Sequence, residues 1–135
     1  MEIFRLYINV TQMHQIVSEG RCVNMLLFDG ECTGDYFQGR ILSGGVDTQH
    51  VSADGSGTLS ARYMLEGVDA QGAPCKIFIE NNAETGTENT LTKPQIFTDS
   101  ESLKWLEGEQ LTGRILSEEG QLIRSIRLEE QGHEI

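Results

Sequence analysis

Residues 58–66, with the sequence TLSARYMLE, carry the clearest structural signal in the chain. Small or apolar side chains occupy every second position, at Leu59, Ala61, Tyr63 and Leu65. A spacing of two is the period of a β-strand, whose successive side chains point to opposite faces, and it does not fit the 3.6-residue period of a helix. The stretch therefore predicts a strand whose buried face carries these four residues.

The segments that follow this strand predict an antiparallel meander. A turn is predicted over residues 69–72, and residues 76–82 form a second strand-like run that pairs with the first. The chain has 15 glycines and two prolines, and turn residues recur between short β-prone runs along its whole length. Gly39, inside one such run, predicts a bulge or a bend. Further strands are predicted over residues 3–10, 22–28, 36–42, 111–117 and 121–130.

One segment departs from the strand pattern. In residues 98–106, Thr98 and Glu101 stand at the spacing of a capping box, and Gly108 ends the run. The segment predicts a helix of about two turns. Its leucines or Trp105 are expected to plug one end of the β structure.

These elements predict a mainly β protein. The expected architecture is a closed or nearly closed antiparallel barrel of about eight or nine strands with one short helix, and a two-sheet β-sandwich is the alternative. A doubly wound α/β fold is disfavoured because no crossover helix follows a strand. The 135 residues are interpreted as a single domain over residues 1–135.

Charge and composition disfavour several classes of function. The formal net charge is −11, from 21 acidic and 10 basic residues, so nucleic acid and anionic membranes are poor partners. No apolar run reaches the roughly 18 residues of a membrane helix, and no signal peptide is recognised. Three cysteines without a CxxC pair predict free thiols and a cytoplasmic location. Histidines lie far apart and no nucleotide-binding motif occurs, so no metal and no cofactor are expected.

The segment GRILSGGVD, residues 39–47, resembles part of a bacterial family of uncharacterised proteins, the domain of unknown function 3237 (DUF3237) family. The resemblance rests on a Gly-Gly-x-Asp segment followed, after a hairpin, by an Arg-Tyr strand. Its later matches are Gly72-Ala73, Asn81 or Asn82, Phe97, Trp105 and Leu106. It implies a single antiparallel barrel akin to allene oxide cyclase and dirigent proteins, and it implies no settled activity. The chain departs from the family where Thr48 replaces a frequent Trp and Ala83 a frequent Gly.

The first candidate site residues are Asp47 and Arg62. Asp47 follows two glycines, and a carboxylate held on such a loop at a barrel rim suits a general base or a ligand acceptor. The alternative is an Asp that only hydrogen-bonds local amides. Arg62 lies in mid-strand, and the resemblance favours an inward side chain with Asp47 or Glu80 as its counter-ion. If it points outward, it is an ordinary surface residue.

Four further residues complete the candidate ligand-binding set. Glu80 and Asn82 share one face of their predicted strand, which would line the cavity if that face is internal. His50 follows Asp47 by three residues, and Trp105 is placed at the cavity mouth. The alternatives are a solvated strand face, a solvated histidine and a structural tryptophan. No catalytic residue is assigned.

The sequence is compatible with three functions. The first is a barrel that binds a small organic ligand, extending to a lyase or isomerase reaction without a cofactor. The second is a non-catalytic carrier with the same cavity, and the third is a filled barrel that acts as a protein-interaction scaffold. The strand over residues 122–128 carries apolar groups on both faces, which predicts a homo-oligomer.

Overall fold

The computed structural model of the protein describes residues 1–85 and 91–128. It contains eight β-strands and one short 3-10 helix within those ranges. In chain order they are β1 (Glu2–Ser18), β2 (Arg21–Thr33), β3 (Phe37–Val51), β4 (Gly57–Asp69), β5 (Pro74–Thr85), β6 (Lys93–Thr98), the 3-10 helix Lys104–Gly108, β7 (Leu111–Glu118) and β8 (Gln121–Leu128). None of the described helical residues form a helix long and apolar enough to cross a membrane.

All eight strands form one antiparallel sheet that curls into a nearly closed barrel. The order across the sheet is β6-β5-β4-β3-β2-β1-β8-β7. The two edges meet where Thr92 pairs with Gly113, each amide donating to the other's carbonyl, at 3.0 and 2.9 Å. The barrel prediction is confirmed, and the alternative of two packed sheets is not observed.

The face of β4 predicted to be buried lines the barrel interior. Leu59, Ala61, Tyr63 and Leu65 are all at most 6% exposed. Register extends this face around the sheet, because side chains paired across neighbouring strands point to the same side. Apolar side chains fill the part of the interior nearest the 3-10 helix. They include Phe4, Leu6, Phe37, Ile77, Ile79, Leu111 and Ile126.

Strand β3 is longer than predicted and contains the Gly-Gly-x-Asp segment within it. The expectation of a loop at the barrel rim is therefore wrong: pairing with β4 resumes at Val46 after a register shift, and Asp47 lies in mid-strand. The bulge lies at this shift, where Gly44 has a φ of 103° that favours glycine. Gly39, the predicted bulge, is instead regularly paired. A Cβ there would lie 2.8 Å from the Phe37 ring, so close packing accounts for the glycine.

The two ends of the barrel differ. Strand β1 was predicted to stop at residue 10, but it continues to Ser18, and its residues 9–18 are exposed. The β1–β2 hairpin therefore projects past the end of β8, whose pairing with β1 stops at Ile8. Among residues 1–85 and 91–128, no helix lies at this end of the barrel. At the other end, Leu103 and Leu106 are each 1% exposed and plug the interior, as predicted for the leucines.

The helix differs from the prediction in type and position. Only residues 104–108 are helical, as a 3-10 turn, and Thr98 ends β6. The Thr98 hydroxyl accepts from the Ser100 amide (3.1 Å), as a capping residue would, and also donates to the Lys76 carbonyl (2.7 Å), but Glu101 does not complete the capping box. The carboxylate of Glu107 accepts the Thr98 amide instead (2.9 Å). Thr98 is therefore bound to β5 and does not begin an α-helix.

The outer face of β8, predicted to meet a partner, is covered by the chain itself. Ile123 is 1% and Ser125 2% exposed. Arg5 lies opposite Ser125 on β1, and its guanidinium pairs with Glu118 (3.0 Å) and Glu2 (3.6 Å). This strand therefore offers no open apolar surface. Residues 129 and 130 of the predicted strand, and Gly86 of a predicted turn, lie outside the described residues.

Asp69 connects the β4–β5 turn to the segment between β6 and the 3-10 helix. Its carboxylate accepts the amides of Gln71 and Ala73, both at 3.0 Å, and the Ser100 hydroxyl at 2.9 Å. Burial raises the pKa of Asp69, but these hydrogen bonds to the charged form outweigh burial and lower the pKa below its ordinary value of 3.8. The folded state therefore holds the ionised carboxylate more strongly than the unfolded chain does.

Asp69→Asn is expected to lower the midpoint of thermal unfolding at neutral pH. Because a lowered folded-state pKa stabilises the protein above the unfolded pKa and not below it, the difference from wild type should shrink as pH falls below about 4. Unfolding followed by circular dichroism between pH 3 and 7 measures this. Asp35→Asn, at an exposed position, is the control. A difference that stays constant with pH would contradict the assigned role of the charge.

Candidate functional site

A buried ion pair lies inside the barrel. The Arg124 Nη2 atom on β8 donates to Asp47 Oδ2 on β3 at 2.8 Å. The two side chains are 5% and 8% exposed. Strands β3 and β8 are separated in the sheet by β2 and β1, so the pair spans the interior rather than joining neighbouring strands. Asp47 was predicted to have an arginine partner, but that partner is Arg124 and not Arg62.

Register places Asn81 beside this pair. Asp47 pairs with Ala61 across β3 and β4, and Ala61 pairs with Asn81 across β4 and β5. The residue between Asp47 and Asn81 on the inward face is Ala61, whose side chain is a single methyl group. The Asp47 carboxylate and the Asn81 amide therefore face the same space. Asn81 is 2% exposed, and a Cβ added to Gly113 would lie 3.4 Å from its Nδ2. The amide therefore lies next to the seam where the barrel closes.

Tyr63 lies next to these side chains, on the side of the apolar core. We call Asp47, Tyr63, Asn81 and Arg124, together with Thr92 at the seam, the polar layer. Tyr63 is two residues beyond Ala61 on the inward face of β4, is 3% exposed, and packs edge-on against Phe28 with ring centroids 5.4 Å apart. Burial raises the pKa of Tyr63 well above its ordinary value, with a smaller lowering by Arg124 and a smaller raising by Asp47. The phenol therefore stays neutral and acts as a hydrogen-bond donor or acceptor.

Several polar atoms of this layer have no hydrogen-bond partner among the described residues. They are Asp47 Oδ1, Arg124 Nε and Nη1, Tyr63 Oη, Asn81 Oδ1 and Thr92 Oγ1. Buried polar atoms are paired in the large majority of cases, because an unpaired one costs about 1–3 kcal/mol. The concentration of such atoms among the described residues makes this layer the candidate site.

Polar side chains lie between this layer and the end of the barrel that carries the β1–β2 hairpin. Above Asp47, the inward side chains of β1, β2 and β3 form a hydrogen-bonded ladder. The Gln15 amide donates to Asn24 Oδ1 at 2.8 Å, and the Asn24 amide donates to Gln49 Oε1 at 3.5 Å. Gln15 is exposed, whereas Asn24 and Gln49 are half-buried. Polar side chains therefore lie at successive depths between the solvent and the buried Asp47–Arg124 pair.

Three of the predicted site residues lie together on the outside of the barrel. Arg62 has a side chain 62% exposed, and its Nε lies 3.6 Å from Glu80 Oε2, while the Asn82 amide donates to Glu80 Oε1 at 3.3 Å. The expectation that Arg62 points inward is wrong, because Ala61 and Tyr63 occupy the inward positions of β4. Glu80 is its counter-ion as expected, but on the outer face. Asn82 also lines an outer cleft of about 800 Å³ with Ser60 and Lys93.

The remaining predicted residues lie away from the polar layer. His50 is exposed on the outer side of β3, and Trp105 is 42% exposed on the 3-10 helix, where it packs against Tyr36 with centroids 5.9 Å apart. The structure thus brings only Asp47 of the candidate set into the interior. Of the two departures from the family pattern, Thr48 lies on the outer side of β3, whereas Ala83 lies on the inward side of β5.

The sequence contained a weak signal for the residues that were missed. Arg124 stands between Ile123 and Ser125 in an apolar strand, the same context that drew attention to Arg62. Asn81 was noted only as a family match. Within residues 1–85 and 91–128, no group of three or more His, Cys, Asp or Glu side chains is arranged to hold a metal ion.

Comparison with known proteins agrees with this barrel. A family model described as a protein of unknown function, DUF3237, matches residues 2–127. A curated relative, a UPF0311 protein of Clostridium acetobutylicum, is 36% identical over 84 residues, which is 60% of this chain and 51% of that protein. The chain thus spans about half the length of this relative.

Two solved structures show the same fold. One is a protein of unknown function from Clostridium acetobutylicum, with a TM-score of 0.77 and 24% identity over 93% of each chain. Another is described as an enzyme from Penicillium herquei, with a TM-score of 0.72 and 17% identity over 94% of this chain and 92% of that one. At these identities the likeness concerns the fold alone.

Breaking the buried ion pair from one side is expected to be costly. Asp47→Leu leaves the Arg124 charge buried without a partner and should destabilise the fold by about 3–5 kcal/mol. Because the pair can be replaced by apolar groups, Asp47→Leu combined with Arg124→Met should recover most of that loss. Urea unfolding of the wild type, both single variants and the double variant measures the coupling.

The exposed pair on the outer face provides the matched control. Arg62→Met should change the stability by no more than about 1 kcal/mol, because exposed ion pairs contribute little. Additive losses in the Asp47 and Arg124 double variant would contradict a direct buried interaction.

Proposed function

The chain belongs to the DUF3237 family, whose description assigns no function, and from that premise we propose that it is a barrel that binds a small organic molecule in its polar layer. The site consists of Asp47, Tyr63, Asn81 and Arg124. The observation that carries the proposal is the set of buried polar atoms in these side chains that lack partners among the described residues. A scaffold barrel filled by side chains would have no reason to retain them.

The chemistry of the unpartnered atoms specifies the ligand class. Arg124 Nε and Nη1 are donors, which favours a ligand with a carboxylate, carbonyl or enolate oxygen. Asp47 Oδ1 and Asn81 Oδ1 are acceptors, which favours a hydroxyl group on the same ligand. Phe28 and Leu59, both nearly fully buried beside the layer, supply apolar contact. An oxygenated organic molecule with an apolar body fits these requirements.

A catalytic version of this function is the second candidate. The solved neighbour from Penicillium herquei is described as an enzyme, which favours chemistry within this fold. In this chain Asp47 would act as the base, with its Oδ1 atom toward the ligand, and Arg124 would stabilise negative charge that develops on the ligand oxygen. In an isomerase reaction Asp47 would take a proton from one ligand carbon and return it to another, and in a lyase reaction it would pass that proton to the leaving group. The neutral Tyr63 phenol would hold the ligand by a hydrogen bond.

We infer a cytoplasmic location from the thiols. Cys22, Cys32 and Cys75 form no disulfide. Burial raises the pKa of Cys32 to about 12, so its thiol is an unreactive core group. A reducing compartment suits a protein with three unpaired cysteines.

A crystal structure of the purified protein at high resolution tests the site directly. Ordered water or ligand density is expected within hydrogen-bond distance of Arg124 Nη1 and Tyr63 Oη. Soaking with sodium benzoate should place its carboxylate on Arg124. A dry layer in which all these side chains pair with one another would contradict the proposal.

Tyr63→Phe separates binding from stability. Because the Tyr63 hydroxyl has no hydrogen-bond partner among the described residues, its removal should leave the free energy of unfolding within about 1 kcal/mol of wild type or increase it. Binding of the molecule found in the crystal should weaken by about tenfold, since one hydrogen bond is lost. Calorimetry measures the affinity, and Tyr36→Phe at the opposite end is the control. Unchanged affinity in Tyr63→Phe would remove this residue from the site.

A further inference from the structure

The outer face of β4, β5 and β6 carries an apolar row that residues 1–85 and 91–128 leave uncovered. Met64 pairs with Phe78, and Phe78 pairs with Phe97, so the three side chains lie side by side across the strands. Met64 is 40% exposed, Phe97 is 71% exposed and Phe78 is half-buried. An aromatic ring as exposed as Phe97 beside two further apolar side chains is typical of a contact surface.

Charged side chains flank this row in an alternating pattern. On one side of the row, Arg62 on β4 lies opposite Glu80 on β5. On the other side, Glu66 on β4 lies opposite Lys76 on β5. Each strand therefore carries one positive and one negative charge, and the order of the two signs is reversed between the strands. We call these four residues the charge quartet.

The quartet is complementary to its own rotated copy. A two-fold rotation about the apolar row brings Arg62 to Glu66 of a second copy and Glu80 to its Lys76. A two-fold rotation about a line between β4 and β5 brings Arg62 to Glu80 and Glu66 to Lys76. Opposite charges meet in both arrangements. The first brings the whole apolar row onto its copy, whereas the second brings Met64 onto Phe78 and places Phe97 beyond β4 of the second copy. Self-complementarity of this kind is the requirement of a two-fold symmetric interface.

We propose that the outer face of β4–β6, with the Met64–Phe78–Phe97 row and the charge quartet, is the surface through which two copies of this chain form a homodimer. A second copy explains both features at once, because the row needs apolar cover and the quartet needs alternating charge. The quartet has no net charge in a chain of net charge −11, so it is a place where two acidic copies meet without repulsion.

The flanking surface is compatible with this contact. Aligned sheets pack about 10 Å apart with a rotation of about 30° between strands. Such a rotation displaces facing charges by about 3–4 Å at the quartet, since they lie about 7 Å from the row. Arginine and lysine side chains are long enough to span this displacement. The patch is small, so the dimer is expected to form at micromolar or higher concentration rather than as an obligate assembly.

Two double variants with opposite charge test the proposal on the full chain. The acidic variant carries Arg62→Glu and Lys76→Glu, and the basic variant carries Glu66→Lys and Glu80→Lys. All four positions are at least 35% exposed, so folding should be retained, which circular dichroism checks. Sedimentation velocity over a concentration series gives the masses and the dissociation constants.

The wild type is expected to reach twice the 15.0 kDa chain mass as its concentration rises. Each variant alone should dimerise at least about tenfold more weakly, because like charges face each other. An equal mixture of the two variants should restore dimers that contain one copy of each. Arg21→Glu with Arg114→Glu changes the net charge equally at exposed positions outside the face and should dimerise as the wild type does.

Three results would overturn the proposal. They are a wild type that stays monomeric at the highest concentration, variants that dimerise as tightly as the wild type, and a mixture that stays monomeric while each variant alone does so. Phe97→Ser gives a second measure without any change of charge. It should also weaken the dimer by at least about tenfold, since the most exposed ring of the row is lost.

Discussion

The ion pair between Asp47 and Arg124 sets the organisation of the barrel interior. Two charges removed from water cost several kcal/mol each, and only a short, well-directed contact between them offsets that cost. The 2.8 Å contact crosses the interior from β3 to β8. It therefore requires the sheet to curl far enough for these strands to face each other. Toward the 3-10 helix the interior is apolar, and toward the β1–β2 hairpin the Gln15–Asn24–Gln49 ladder is polar.

The glycines of β3 and β7 allow this arrangement. A bulge at Gly44 shifts the register of β3, so that Asp47 rather than its neighbour points inward. Gly113 on β7 has no side chain, so Thr92 and Asn81 approach the seam closely. A methyl group at Gly113 would occupy the space of the Thr92 hydroxyl. The same small residues therefore serve both closure of the barrel and the shape of the polar layer.

The two faces of β4 have separate tasks, and alternation along the strand keeps them apart. Inward residues such as Ala61 and Tyr63 belong to the polar layer. Outward residues such as Arg62 and Met64 belong to the proposed dimer face. A ligand in the interior and a partner on the outside would therefore contact the same strand without sharing a side chain. The charged residues of β4 and β5 that the sequence suggested as site residues, Arg62 and Glu80, lie on the outer face.

Without predicting β6, the sequence by itself determined the other seven strands, their antiparallel meander, the inward face of β4, the leucine plug and the family. Each of these follows from local alternation, turn chemistry or a short motif, which the sequence states directly. The length of β1, the bulge at Gly44 and the 3-10 helix depended on pairing with distant strands. The candidate site also depended on contacts between strands that are distant in the sequence. Arg62 and Arg124 stand in similar local sequence, and only the curl of the sheet, which sets which face of each strand is enclosed, decided that Arg124 meets Asp47 while Arg62 meets Glu80 in solvent.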